Sequence, residues 1–160
     1  MRLRLARVYE QRYMWSAAIR QYGVVIEERP EAIDLYLRMA EAYKWRTEYD
    51  TALDYLGRGL SHASNDDQRI DLLEAAIAVD GASVGINKPL SPAGLDARLD
   101  LAHVYIDQGE TGLAAGQLDE VVADDPDYRA DDVAALRAQI ARSTVDSTSP
   151  GEVQTPSDGM

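Results

Sequence analysis

Cysteine is missing from the chain altogether, which removes disulfides and thiol chemistry and leaves a zinc site without a common ligand. Histidine occurs only as His62 and His103, and lysine only as Lys44 and Lys88. No stretch approaches the roughly 20 apolar residues that a membrane-spanning helix needs. The opening MRLRLARVYEQR is amphipathic and does not read as a secretory leader. These absences point to a cytoplasmic protein with no membrane insertion. The glycines lack phosphate-cradling spacing, and no strand pattern precedes a candidate loop. His103 and Asp107 sit one helical turn apart, with no nucleophile or third ligand indicated beside them. Neither catalysis, a cofactor nor a metal is expected.

What the sequence does have is acid, unevenly spread. Over 160 residues, enough for one domain with a real core, the net charge is −12. Residues 1–60 carry 10 Lys/Arg against 9 Asp/Glu, whereas residues 61–160 carry 6 against 19. Such a surface repels nucleic acid and anionic membranes and favours basic partners. The aromatics are equally lopsided: nine of the eleven, including Trp15 and Trp45, lie within the first 60 residues.

An internal repeat organises the rest. Shifted by 34, Leu5 falls on Met39, Ala6 on Ala40, Tyr9 on Tyr43, Trp15 on Tyr49, Ala18 on Ala52 and Tyr22 on Leu56. A third copy lies 62 residues beyond the second, with Leu101, Ala102, Tyr105, Ala114, Leu118 and Val121 on Met39, Ala40, Tyr43, Ala52, Leu56 and Gly59. Pro30 and Pro126 close the first and third copies. Each copy reads as two amphipathic helices, with apolar residues three and four apart. The alanines suit points where helix axes cross closely, the tyrosines fill space beside them, and the proline ends the second helix. Thr47 with Asp50, and Ser16, suit the start of a second helix.

Period, small residues, aromatics and closing proline together resemble the tetratricopeptide family, over roughly residues 2–66 and 95–128. The resemblance implies an all-α fold: an α-solenoid of antiparallel helix pairs in a right-handed superhelix, whose concave face binds peptides or helices. About eight helices are expected. The units are 1–32, 33–66, a degenerate 67–94, 95–128, and a capping helix 129–142, followed by a disordered tail 143–160. In the degenerate unit, helical patterning runs from Asp66 to about Val79 with a cap at Ser64 or Asn65. Gly81, Gly85, Pro89, Pro92 and Gly94 then replace a partner helix. The resulting loop 81–91 is either what a decayed repeat leaves behind or, through Val84, Ile86 and Leu90, a cover for the groove. Ser91-Pro92 reads as the start of the next helix. The acidic run Asp124, Asp125, Asp127, Asp131 and Asp132 suits a helix N-terminus rather than a metal, since it lacks calcium-loop spacing.

At about 100° per residue, Leu5, Ala6 and Tyr9 point one way, while Leu3, Arg7, Glu10 and Gln11 point roughly opposite. The second set recurs as Leu37, Glu41, Lys44 and Trp45, then as Leu99, His103, Ile106 and Asp107. In tetratricopeptide domains this face of each first helix contacts the ligand, so the resemblance makes these twelve the candidate partner-binding groove. Trp45, beside Lys44, is of the type that dominates binding energy. Packing into the adjacent turn or on an upstream repeat is the equally open alternative. With Arg7, Glu41, Lys44, His103 and Asp107 and no asparagine, the face lacks the carboxylate clamp of chaperone-binding domains; a mixed-charge helix or extended segment suits it better. The expected role is an adaptor that binds another protein and no nucleic acid. The alternative is a self-assembling scaffold, or part of a longer solenoid, associating through the aromatic-rich N-terminal end.

Overall fold

A computed structural model describes residues 1–85 and 88–147, with side chains as far as residue 144. Eight helices follow in order: α1 (Arg2–Gln11), α2 (Trp15–Glu28), α3 (Ile33–Trp45), α4 (Tyr49–His62), α5 (Asp66–Val84), α6 (Pro92–Asp107), α7 (Thr111–Asp124) and α8 (Ala130–Ser147). No strand occurs among the described residues. Each helix packs on the one before and the one after, and beyond that α3 touches α5 and α6 touches α8. Contact confined to near neighbours is the mark of an α-solenoid.

The period appears in the backbone as well as in the side chains. The turns after α1, α3 and α6 each place one residue in the left-handed region: Tyr13 (φ 56°), Thr47 (φ 62°) and Gly109 (φ 79°). Each turn closes with the same two hydrogen bonds. The amides of Tyr13, Thr47 and Gly109 donate to the carbonyls of Glu10, Lys44 and Ile106 at 2.9, 2.9 and 3.0 Å. The amides of Met14, Glu48 and Glu110 donate to the carbonyls of Tyr9, Tyr43 and Tyr105 at 2.9, 3.0 and 2.8 Å. This 6→1 and 5→2 pattern satisfies helix-end carbonyls that would otherwise lack partners. It also overturns the expected side-chain caps. α2 and α4 start from Met14 and Glu48 without a side-chain cap, and Thr47 is spent on the αL position.

Behind the turns, all six repeat alanines (Ala6, Ala40, Ala102, Ala18, Ala52 and Ala114) are buried, as close helix crossings require. Between the first two units a polar pin joins three helices. The Tyr22 hydroxyl donates to Glu10 at 2.5 Å, and Arg38 donates to both Glu10 oxygens at 3.0 and 3.1 Å. Burial and then the Glu10 carboxylate push the Tyr22 phenol up to about 12.

The irregular middle differs from expectation at its edges. Asn65 caps α5 by accepting from the Gln68 amide at 2.9 Å, while Gln68 reaches back to the Ser64 amide at 2.9 Å. α5 then continues to Val84, so residues 81–84 form its last turn and not a loop, and Gly85 ends it at φ 92°. The helix continues because Gly81 costs only about 1 kcal/mol in a helix and no proline intervenes before Pro89. With the second helix of this unit missing, α6 itself packs on α5. Asp80, buried near the end of α5, accepts from both the amide and the hydroxyl of Ser91 at the start of α6. Leu90 packs against the core, and its amide donates to Asp124 at 3.3 Å. Leu90 is thus used inside the fold, Val84 is helical, and Ile86 lies outside the described residues.

At the far end α8 runs five residues past the boundary expected at 142, reaching Ser147; the remainder of the expected tail, 148–160, lies outside the described residues. Arg129 fixes the start of α8, pairing with Asp96 at 2.8 Å and Asp132 at 2.7 Å. Among the described residues no helix is long and apolar enough to cross a membrane, and no group of three or more His, Asp or Glu could hold a metal ion.

Candidate binding surface

The twelve groove candidates fall into three different situations. In the first unit Arg7, Glu10 and Gln11 share an open cleft of about 360 Å³ with Arg38. Arg7 and Gln11 are exposed, whereas Glu10 is committed to Tyr22 and Arg38 and so holds the units together. Leu3 is half-buried and lines a second cleft with Arg4, Arg7 and Arg29. In the second unit Leu37 is half-buried against the core, and Lys44 neutralises Glu41 across one turn at 2.6 Å.

The third unit requires a correction. His103 and Asp107 are exposed, with no hydrogen bond or ion pair between them, but Leu99 and Ile106 are buried at 2% and 8% exposure and cannot line an open groove. The cause is the missing helix. α6 serves as partner to α5 on one side and α7 on the other, and it touches α8 as well. Its buried residues (Leu95, Ala97, Leu99, Leu101, Val104 and Ile106 among them) occupy most of its circumference and leave one exposed stripe of Asp100, His103 and Asp107.

Trp45 packs on the upstream repeat and still faces solvent. Its ring stacks on Trp15 of the first unit, with centroids 6.0 Å apart and planes within 3°, yet it remains 60% exposed. Tyr13, 75% exposed, meets Trp15 edge-on at 5.9 Å. The two turns that carry these rings are clamped together. Arg46 donates to the Ser16 hydroxyl at 2.8 Å, and its other nitrogen pairs with Glu48 at 2.6 Å. A cleft of about 480 Å³ opens beside the rings, walled by Tyr13, Met14, Trp15, Arg20 and Arg46. Sequence reasoning missed Tyr13, Met14 and Trp15, because the repeat assigns Trp15 the packing role of Tyr49. The available signal was three large apolar residues in a row at a turn, where polar residues are usual.

The sequence matches no protein-family model and no curated protein. Among solved structures, one described as the crystal structure of MamA protein is 15% identical with a TM-score of 0.41, over 97% of this chain and 96% of that one. A second MamA structure is 15% identical with a TM-score of 0.38, over 89% and 95%. A structure of YrrB, described as a TPR protein with an unusual peptide-binding site, is 16% identical with a TM-score of 0.40, over 91% and 86%. The fold of this chain is tetratricopeptide-like. That statement rests on its own repeat of helix pairs, αL turns and buried alanines.

Proposed function

We propose that this chain is a protein-interaction module, an adaptor that binds a peptide or helix of another protein and catalyses nothing. The observation carrying the proposal is the ledge on which Tyr13 and Trp45, both exposed, flank the half-buried Trp15, with Arg46 at its side. Large aromatic surface left in water costs about 25 cal/mol per Å², so a monomer gains nothing from presenting Tyr13 and Trp45 side by side with Trp15 between them. Tyr, Trp and Arg are also the residue types in which binding energy concentrates. The ledge adjoins the first-helix face that carries Gln11, Glu41 and Lys44, so a ligand anchored on the rings extends towards mixed charge. Leu3, Arg7 and Leu37 complete the binding surface, with His103 and Asp107 at its far end; Leu99 and Ile106 are excluded by burial. The excess of acid over the second half of the chain disfavours nucleic acid as the ligand.

The test starts from a peptide selected on the wild-type chain out of a displayed random library. Trp45→Ala and Trp15→Ala should each weaken it more than tenfold with helicity unchanged. Equal affinity for both variants rejects the ledge as the binding site.

A further inference from the structure

The cleft beside the aromatic rings has a lining of two kinds. Tyr13, Met14, Trp15 and Ala17 supply apolar surface, and Ser16, Arg20 and Arg46 supply polar groups. It is built by two units, since Arg46 belongs to the turn after α3 and the rest to the turn after α1 and to α2. No residue before Tyr13 lines it, so it is separate from the open side of α1. On α2, Arg20 stands four residues from Ser16 and three from Ala17, which puts all three on one face of the helix.

Charge around the cleft is unbalanced. The nearby acids are already neutralised, Glu10 by Arg38, Glu41 by Lys44 and Glu48 by Arg46. Asp50 lines a different cleft with Thr47 and Ser83. Arg20 is exposed, and its side chain has no hydrogen bond or ion pair among the described residues. The same is true of Arg12, next to Tyr13 in the turn. Apolar surface and uncommitted positive charge therefore occur together here, in a chain whose net charge is −12.

That combination selects among apolar ligands. A side chain laid against Trp15 removes water from the cleft, and a guanidinium left there without a partner costs free energy. A carboxylate beside the apolar group supplies the partner, in the planar geometry that arginine favours. A lysine or arginine in the same place would be repelled.

We propose that the cleft takes an acidic segment of another protein, with one bulky apolar or aromatic side chain against Trp15 and the carboxylate of an adjoining Asp or Glu on Arg20. The proposal rests on the reading of the ledge as the binding surface and adds the chemistry of what binds there. Single-stranded nucleic acid also combines rings with negative charge. Residues 61–160, with 6 Lys/Arg against 19 Asp/Glu, oppose such a polyanion much more than a segment with one or two carboxylates.

Peptides selected on the full chain from a displayed random library, then synthesised with both ends blocked, test this. Asp or Glu next to an aromatic or large aliphatic residue should be enriched among them. Arg20→Glu should weaken these peptides by about tenfold and Arg20→Gln by less, both with helicity unchanged because Arg20 is exposed. Replacing the peptide's acid by lysine should weaken binding to wild type and restore it to Arg20→Glu. Arg29→Gln removes an equal charge from a residue outside the cleft and should leave affinity within about twofold. Four results overturn the proposal: no enrichment of acid, full affinity in Arg20→Glu, an Arg29→Gln loss equal to that of Arg20→Gln, or displacement of the peptide by oligothymidine. Trp15→Ala separates this proposal from the reading beneath it. If Trp15→Ala weakens the peptide and Arg20→Glu does not, the ledge stands and only the acidic ligand is rejected. If neither weakens it, both fail.

Discussion

At the scale of single residues, the same turn is built three times with different chemistry, and that makes its cost measurable. Tyr13, Thr47 and Gly109 hold equivalent left-handed positions, but only glycine occupies that region without steric penalty. A β-branched residue there is especially strained. Thr47→Gly should therefore stabilise the chain by about 0.5–1 kcal/mol, and Gly109→Ala should destabilise it by about 1 kcal/mol, both read from the denaturation midpoint at constant m. Equal signs would show that the turns are not equivalent. The Tyr22 phenol makes a second, pH-dependent contribution. Unfolded, it ionises near 10.0; folded, burial and Glu10 hold its proton until about 12. Its contribution is complete below pH 10 and is lost as pH rises towards 12, because over that window only the unfolded chain releases the proton. Tyr22→Phe should flatten the fall of stability with pH across this window by roughly 1.4 kcal/mol per pH unit. A slope unchanged by the substitution removes Tyr22 from the account. The repeat alanines were legible in sequence because only small size fits where they recur. Tyr13 and Thr47 were not, since neither residue type announces a positive φ as Gly109 does.

At the scale of the element, the junction between α5 and α6 decides what the rest of the chain can do. The breaker-rich stretch rightly marked a missing helix, yet sequence alone placed the break too early, because glycine weakens a helix without ending it. More consequential was the assumption that α6 would keep the exposed face of a first helix. That assumption holds only while every unit has both its helices. Once α5 lost its partner, α6 took the place of that partner, and Leu99 and Ile106 went inside. The joint is made by a charge that sequence reasoning passed over. Asp80 sits against Gly94 so closely that a Cβ there would lie 2.4 Å from a carboxylate oxygen and 3.0 Å from Leu90 Cβ. Helix N-termini favour a carboxylate, and this one also takes two hydrogen bonds from Ser91. Gly94→Ala should accordingly cost about 1–3 kcal/mol of stability, despite the better helix propensity of alanine. Combining it with Asp80→Ala should cost less than the sum of the two single changes, since the clash goes with the carboxylate. A strictly additive result would place the strain elsewhere.

At the scale of the whole molecule, stability in a linear array is set by neighbours, so it has a direction along the chain. α6 has three helices against it and nine buried residues; α1 has one neighbour along its length and only Ala6 buried, and α8 buries Val133 and Leu136. The helix that took over a missing partner's place is thus the most firmly held, and the two end helices are the least. Local opening follows buried apolar contact, so amide exchange should be slowest in α6, faster in α3 and α5, and fastest in α1 and α8. A gradient that peaks at either end would mean that the packing order inferred here, with α6 at its centre, is not the one that holds the chain together.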